Sequence, residues 1–152
     1  MPSITSLATK LRKDFKQFTF VASDQFRWQP VDQTIFYDQS SSDQEALLHE
    51  LSHALLGHSY YARDIQLIDL ERDAWSHAST VLSMPYNVAI TDETVQSSLD
   101  TYRDWLHARS ICPTCNAVGM QTKIREYKCI ACGGLWRVNE ARLCGLKRYR
   151  LT

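Results

Sequence analysis

The chain has 152 residues, 44% of them hydrophobic and 22% charged, with a formal net charge of zero. That length fits one modest domain or a domain with a small appendage. No apolar run reaches the roughly eighteen residues of a membrane span, and the polar, periodic start MPSITSLATKLRKDF lacks the apolar core and small-residue cleavage site of a secretion signal, so a cytoplasmic protein is expected.

The neutral total conceals two unlike parts. Residues 1–110 hold nine Lys/Arg against fifteen Asp/Glu, whereas residues 111–152 hold eight Lys/Arg against two Glu. An acidic body with a basic tail directs the tail toward a polyanion or an acidic partner.

In chain order, Ile4, Leu7, Leu11, Phe15 and Phe18 recur at spacings of three and four, which predicts a surface helix over 3–18. Residues 24–30 read as a loop or short strand, and 33–38 (QTIFYD) as a strand. Ser42 precedes Glu45 at capping-box spacing, which predicts a helix through Ala46, Leu47, Leu48 and the HELSH segment, with Gly57 as its stop. A connection over 59–65 should lead to a second helix over about 66–83, ending before Pro85. A third helix is predicted over 92–109, with Val95, Leu99, Tyr102 and Leu106 on one face. From Ile111 onward the texture changes to paired cysteines and many basic residues. The domain boundary belongs near Ser110, giving domains 1–110 and 111–152.

The chemistry centres on HELSHALLGH, residues 49–58. On a helix His49 and His53 share a face, so both imidazoles can reach one ion. Glu50 points about 100° around the helix, toward a water rather than the metal. This is the H-E-x-x-H arrangement of a catalytic zinc, with Glu50 as general base. The bland alternative is an amphipathic helix whose histidines are ordinary core or surface residues. A third ligand is needed, and His58, Asp64, Asp69 and Glu71 are candidates. His58 falls at or beyond the helix end, on another face. Glu71 is favoured, because Ala74, Ala78 and Leu82 follow it at helical spacing and a packed helix would hold its carboxylate firmly.

The segment from Phe26 to Pro85 resembles the ImmA/IrrE family of small zinc metallopeptidases. The matching pieces are TIFYDQ, ALLHELSHALLGH and LERDAWSHASTVLSMP. Trp75 departs from the family, which often has Asn there, and residues 111–152 have no counterpart in its minimal core. The resemblance implies His49, His53 and Glu71 as ligands, Glu50 as base, and a helix-turn-helix repressor as substrate, cut to release phage, mobile-element or stress genes. It also suggests TIFYDQ as an edge strand that an extended peptide could join. Tyr60, Tyr61, His77 and Tyr86 are candidate oxyanion donors, with no means of choosing among them.

Cys112-Pro-Thr-Cys115 and Cys129-Ile-Ala-Cys132 read as a four-thiolate zinc ribbon whose closed shell makes it structural. Cys144 is left over. Lys123, Arg125, Lys128, Arg137, Arg142, Lys147, Arg148 and Arg150, with Trp136 and Tyr149, offer a basic surface for DNA or for a protein.

The expected fold class is therefore α+β: a mostly helical, zincin-like metallopeptidase core with a short sheet, plus a C-terminal four-cysteine zinc ribbon. The expected cofactors are two zinc ions, one catalytic and one structural. Two other functions compete with repressor cleavage. One is a SprT-like protease acting on DNA-associated proteins, which the ERDAW…SMP segment argues against. The other is a non-catalytic regulator that binds DNA or a partner protein through the ribbon.

Overall fold

The computed structural model describes residues 3–142 and 145–151. Its class is α+β, as expected from the sequence. It contains helices α1 (Ile4–Asp14), α2 (Gln44–Leu55), α3 (Asp64–His77), α4 (Ser83–Tyr86) and α5 (Asp92–Ser110), with a π-helical segment at Ala78–Leu82. Strands are β1 (Thr19–Ser23), β2 (Arg27–Gln29), β3 (Thr34–Asp38), β4 (Gly119–Lys123), β5 (Glu126–Cys129), β6 (Leu135–Val138) and β7 (Arg148–Arg150). Two compact units form: one comprises the chain through Tyr60 with Leu70–Val95, the other Tyr61–Asp69 with the chain from Gln96 onward. No helix among the described residues is long and apolar enough to cross a membrane.

In the first unit, α1 begins at Ser3, whose hydroxyl accepts from the Ser6 N–H, and buries Ile4, Leu7, Ala8 and Leu11. It ends four residues earlier than its apolar spacing suggests. Phe15 leaves helical space at φ −123°, and both Phe15 and Phe18 pack onto the core from the connection. The chain then enters β1, an unpredicted strand that buries only Phe20. The sheet order is β1-β3-β2, with β1 parallel and β2 antiparallel to β3. The TIFYD strand is thus central, with both its edges paired, which overturns its expected role as a peptide-accepting edge. The free edges belong to β1 and β2.

Helix α2 supplies Leu47, Leu48 and Leu51, all fully buried, to the same core. Each such leucine contributes roughly 1.5–3 kcal/mol of burial free energy. The helix is capped by Asp43, not Ser42, through the Ala46 N–H at 3.0 Å. An aspartate one residue nearer the helix offers the stronger, charged acceptor at a helix N-terminus. Gly57 follows at φ +70°, a left-handed position suited to a residue without Cβ. Helix α3 starts two residues earlier than predicted and loses α-helical pairing at Ala78. Pro85 lies within the short α4 rather than after the helix.

The second unit is built on an antiparallel meander in the order β4-β5-β6-β7. Tyr127, Cys129, Trp136 and Val138 alternate inward and form its core with Cys112. Gly119 is sterically required: a Cβ there would stand 2.4 Å from the Trp136 ring and 2.7 Å from the Lys128 carbonyl oxygen. Beside this core lies a buried ion network. Arg109 Nε donates to Asp64 Oδ2 at 3.0 Å, its Nη1 donates to the Asn139 carbonyl at 2.5 Å, and the Tyr127 hydroxyl donates to the same Asp64 oxygen. The Arg109 guanidinium also lies 4.7 Å over the Trp105 ring.

Candidate metal centres

Helix α2 brings His49 and His53 onto its buried face, one turn apart, and α3 supplies Glu71 opposite them. The three residues are 6%, 7% and 5% exposed. His49 Nε2 lies 2.8 Å from Glu71 Oε2, His53 Nε2 lies 3.2 Å from Glu71 Oε1, and the two Nε2 atoms are 3.1 Å apart. Two imidazole nitrogens and the two oxygens of one carboxylate thus converge on one point. A tetrahedral zinc with bonds near 2.0–2.1 Å sets its ligand atoms about 3.3–3.4 Å apart, so the cluster is a slightly contracted shell of that kind. The donor set, two imidazoles and one carboxylate, fits zinc and leaves one position open. Burial alone would raise the Glu71 carboxyl, but hydrogen bonds with His49 and His53 override it and hold the group well below the usual range.

The other third-ligand candidates stand elsewhere. His58 is an outer partner: its Nδ1 lies 2.9 Å from His53 Nδ1, on the ring side away from the cluster. If His53 ligates through Nε2, its Nδ1–H is the donor, and His58 fixes the ring orientation. The Trp28 indole N–H in turn donates to the His58 carbonyl at 2.7 Å. Asp64 belongs to the Arg109 network, and Asp69 is outside the cluster. Trp75 is buried and stacks on the His49 ring at 4.2 Å and 22°. His49 Nδ1 is buried without a hydrogen-bond partner, so the ring is held by the Trp75 stack and by its Nε2 contact with Glu71.

Glu50 is half-buried beside the two histidines. Burial raises its pKa, outweighing the histidines' opposing pull, and the Trp28 backbone N–H reaches its carboxylate. A carboxylate with a raised pKa is a better proton acceptor.

Of the suggested oxyanion donors, Tyr86 is committed to Asp14 at 2.7 Å, and His77 Nδ1 bonds Ser52 Oγ at 3.1 Å. Tyr60 is 70% exposed, and Tyr61 falls in the second unit.

Comparison with family models, curated proteins and solved structures finds no match for this chain.

A second candidate metal site lies in the second unit, where the Sγ atoms of Cys112, Cys115, Cys129 and Cys132 gather within 4.8 Å of one another. Cys112–Cys132 and Cys115–Cys129 are 3.7 and 3.4 Å apart, too far for disulfides near 2.05 Å. A tetrahedral shell with Zn–S bonds of about 2.3 Å requires about 3.8 Å between sulfurs. Backbone N–H groups of Thr114 and Cys132 point at Cys112 Sγ and Cys129 Sγ, both at 3.4 Å. Burial opposes ionisation of Cys112, but such N–H contacts lower its pKa to about 6, and the Cys132 N–H likewise lowers Cys129. The Ala117 N–H favours the Cys115 thiolate, yet its sulfur neighbours oppose it and push it up to about 12. Four sulfurs around one point cannot all ionise without a cation among them. Gly133, at φ +74°, makes the turn after the second pair. Cys144 lies outside the described residues.

Proposed function

We propose that the chain is a zinc-dependent endopeptidase of ImmA/IrrE type, acting in the cytoplasm on a helix-turn-helix repressor. His49, His53 and Glu71 would hold the catalytic zinc in a metallopeptidase domain spanning 1–110. Cys112, Cys115, Cys129 and Cys132 would hold a structural zinc in a ribbon domain spanning 111–152. The observation that carries the reading is the convergence of His49 Nε2, His53 Nε2 and the Glu71 carboxylate within 3.2 Å, with Glu50 next in sequence to one of them.

Zinc, when bound, supplies Lewis acidity that makes a water more acidic and a peptide carbonyl more electrophilic. The protein's own share is proton transfer and orientation. Glu50 takes a proton from the attacking water, holds it in a partly desolvated site, and returns it to the departing amine. The Trp28 N–H steadies the Glu50 carboxylate between those transfers. His58 and Trp75 fix the two imidazoles from behind, and α3 holds the Glu71 carboxylate. The repressor as substrate rests on the family resemblance of residues 26–85.

The test is cleavage of a helix-turn-helix repressor by wild type and by Glu50→Gln. The variant should retain its metal and lose about 10²–10⁴-fold in rate, the range for a removed acid–base group. Equal cleavage by both proteins would sink the role given to Glu50.

A further inference from the structure

We propose that the outer face of the β4-β5-β6-β7 sheet binds single-stranded DNA, with Lys128 and Arg137 on phosphates and Tyr149 stacking on a base. The pairing register defines that face. Met120, Lys128 and Leu135 form one cross-strand row, and Glu126, Arg137 and Tyr149 form the next. Tyr127, Cys129, Trp136 and Val138 occupy the opposite face, where they are buried. The outer face is open: Met120 is 57% and Tyr149 45% exposed, and Lys128 and Arg137 are exposed as well.

The charge on this face is left over. The segment's two glutamates are engaged, Glu126 with Lys123 at 3.2 Å and Glu140 with Arg125 at 3.6 Å. Among the described residues, Lys128 and Arg137 make no ion pair. The Arg137 guanidinium instead lies 5.8 Å over the Tyr149 ring, an exposed cation–π pair. Lys128 and Arg137 are diagonal neighbours on adjacent strands, about 7–8 Å apart at the backbone, within reach of neighbouring phosphates on one strand.

A polyanion with exposed π-faces is the complement of this surface. Met120, Leu135 and Tyr149 offer apolar and aromatic seats that a duplex, with its bases already stacked, cannot use. RNA is told from DNA by donors and acceptors aimed at the 2′-hydroxyl; the Thr122 hydroxyl is already spent on the Glu126 carbonyl at 3.3 Å, and Tyr149 is assigned to stacking. Single-stranded DNA is therefore the occupant.

The test is fluorescence anisotropy of the zinc-loaded full chain with labelled oligothymidine, the matching duplex and oligouridine. Oligothymidine should bind most tightly, with log affinity falling against log salt at a slope of about −1.4 for two phosphate contacts. Lys128→Gln/Arg137→Gln should abolish that slope. Tyr149→Ala should weaken binding at least about fivefold at constant slope. Glu126→Gln should strengthen it. Unchanged thermal unfolding and metal content in these surface variants separate lost contacts from lost folding. Equal or tighter binding of the duplex or of oligouridine would overturn the proposal, as would wild-type affinity in the double variant. None of these readouts depends on proteolysis.

Discussion

Arg109→Met should be among the most damaging single substitutions in the second unit. Arg109 and Asp64 are 3% and 5% exposed, and their side chains meet at 3.0 Å. At an effective dielectric constant near 20, unit charges at that 3.0 Å separation attract by about 5–6 kcal/mol. Desolvation of both groups consumes much of this in the intact protein. The variant, however, keeps the Asp64 desolvation and loses its cation, leaving the Tyr127 hydroxyl on a buried carboxylate. It also strands the Asn139 carbonyl. The expected loss is about 3–5 kcal/mol, the range for a buried pair broken from one side. Asp64→Asn/Arg109→Met removes both charges and should recover about half of that loss. The assay is urea unfolding of the zinc-loaded full chain, followed by circular dichroism and tryptophan fluorescence. A single variant within about 1 kcal/mol of wild type, or a double variant no better than the single, would refute the reasoning.

Glu71→Ala should reduce bound zinc from two ions per chain to one, measured by mass spectrometry under native conditions, whereas Cys129→Ser should spare the His49/His53 site. His58→Ala should keep two ions but weaken the His49/His53/Glu71 site about 10–100-fold in competition with a chelator, because it removes an orienting partner and not a ligand. Alkaline stability should follow Tyr86 and Tyr127. Burial and hydrogen bonds to Asp14 and Asp64 raise both phenols, so the folded state keeps protons that the unfolded state releases. Their contribution is complete below about pH 10 and is lost as pH rises above it. Tyr86→Phe/Tyr127→Phe should flatten the fall in unfolding midpoint between about pH 10 and 11, and an unchanged fall would assign it to other groups.

The candidate ligands were legible because their pattern is local. His49, His53 and the two C-x-x-C pairs declare themselves by spacing alone, and Glu71 by its run of alanines. What surrounds them was not. The stack of Trp75 on His49, the support of His53 by His58, and the Trp28 contacts join residues distant in sequence or turned by packing. Asp64 shows the limit most clearly. As a carboxylate near the predicted helix it qualified as a ligand, and only the fold reveals Arg109 and Tyr127 as its partners. The central position of β3 was hidden for the same reason. Its neighbour β1 shows no alternation, since one residue in five is buried.

The π-helical turn at Ala78–Leu82 has a consequence for how this protein tolerates changes in length. Ser79 and Thr80 both turn their hydroxyls onto the Ser76 carbonyl, at 3.1 and 2.7 Å, satisfying a group that the widened turn frees. A π-turn carries one residue more than the α-turn it replaces. Deleting a single residue between 78 and 82 would therefore regularise the helix and leave Tyr86 facing Asp14. The same deletion between 72 and 77 would rotate everything beyond it by about 100° relative to Glu71. The segment is the place where this helix can gain or lose a residue without disturbing the carboxylate two turns before it.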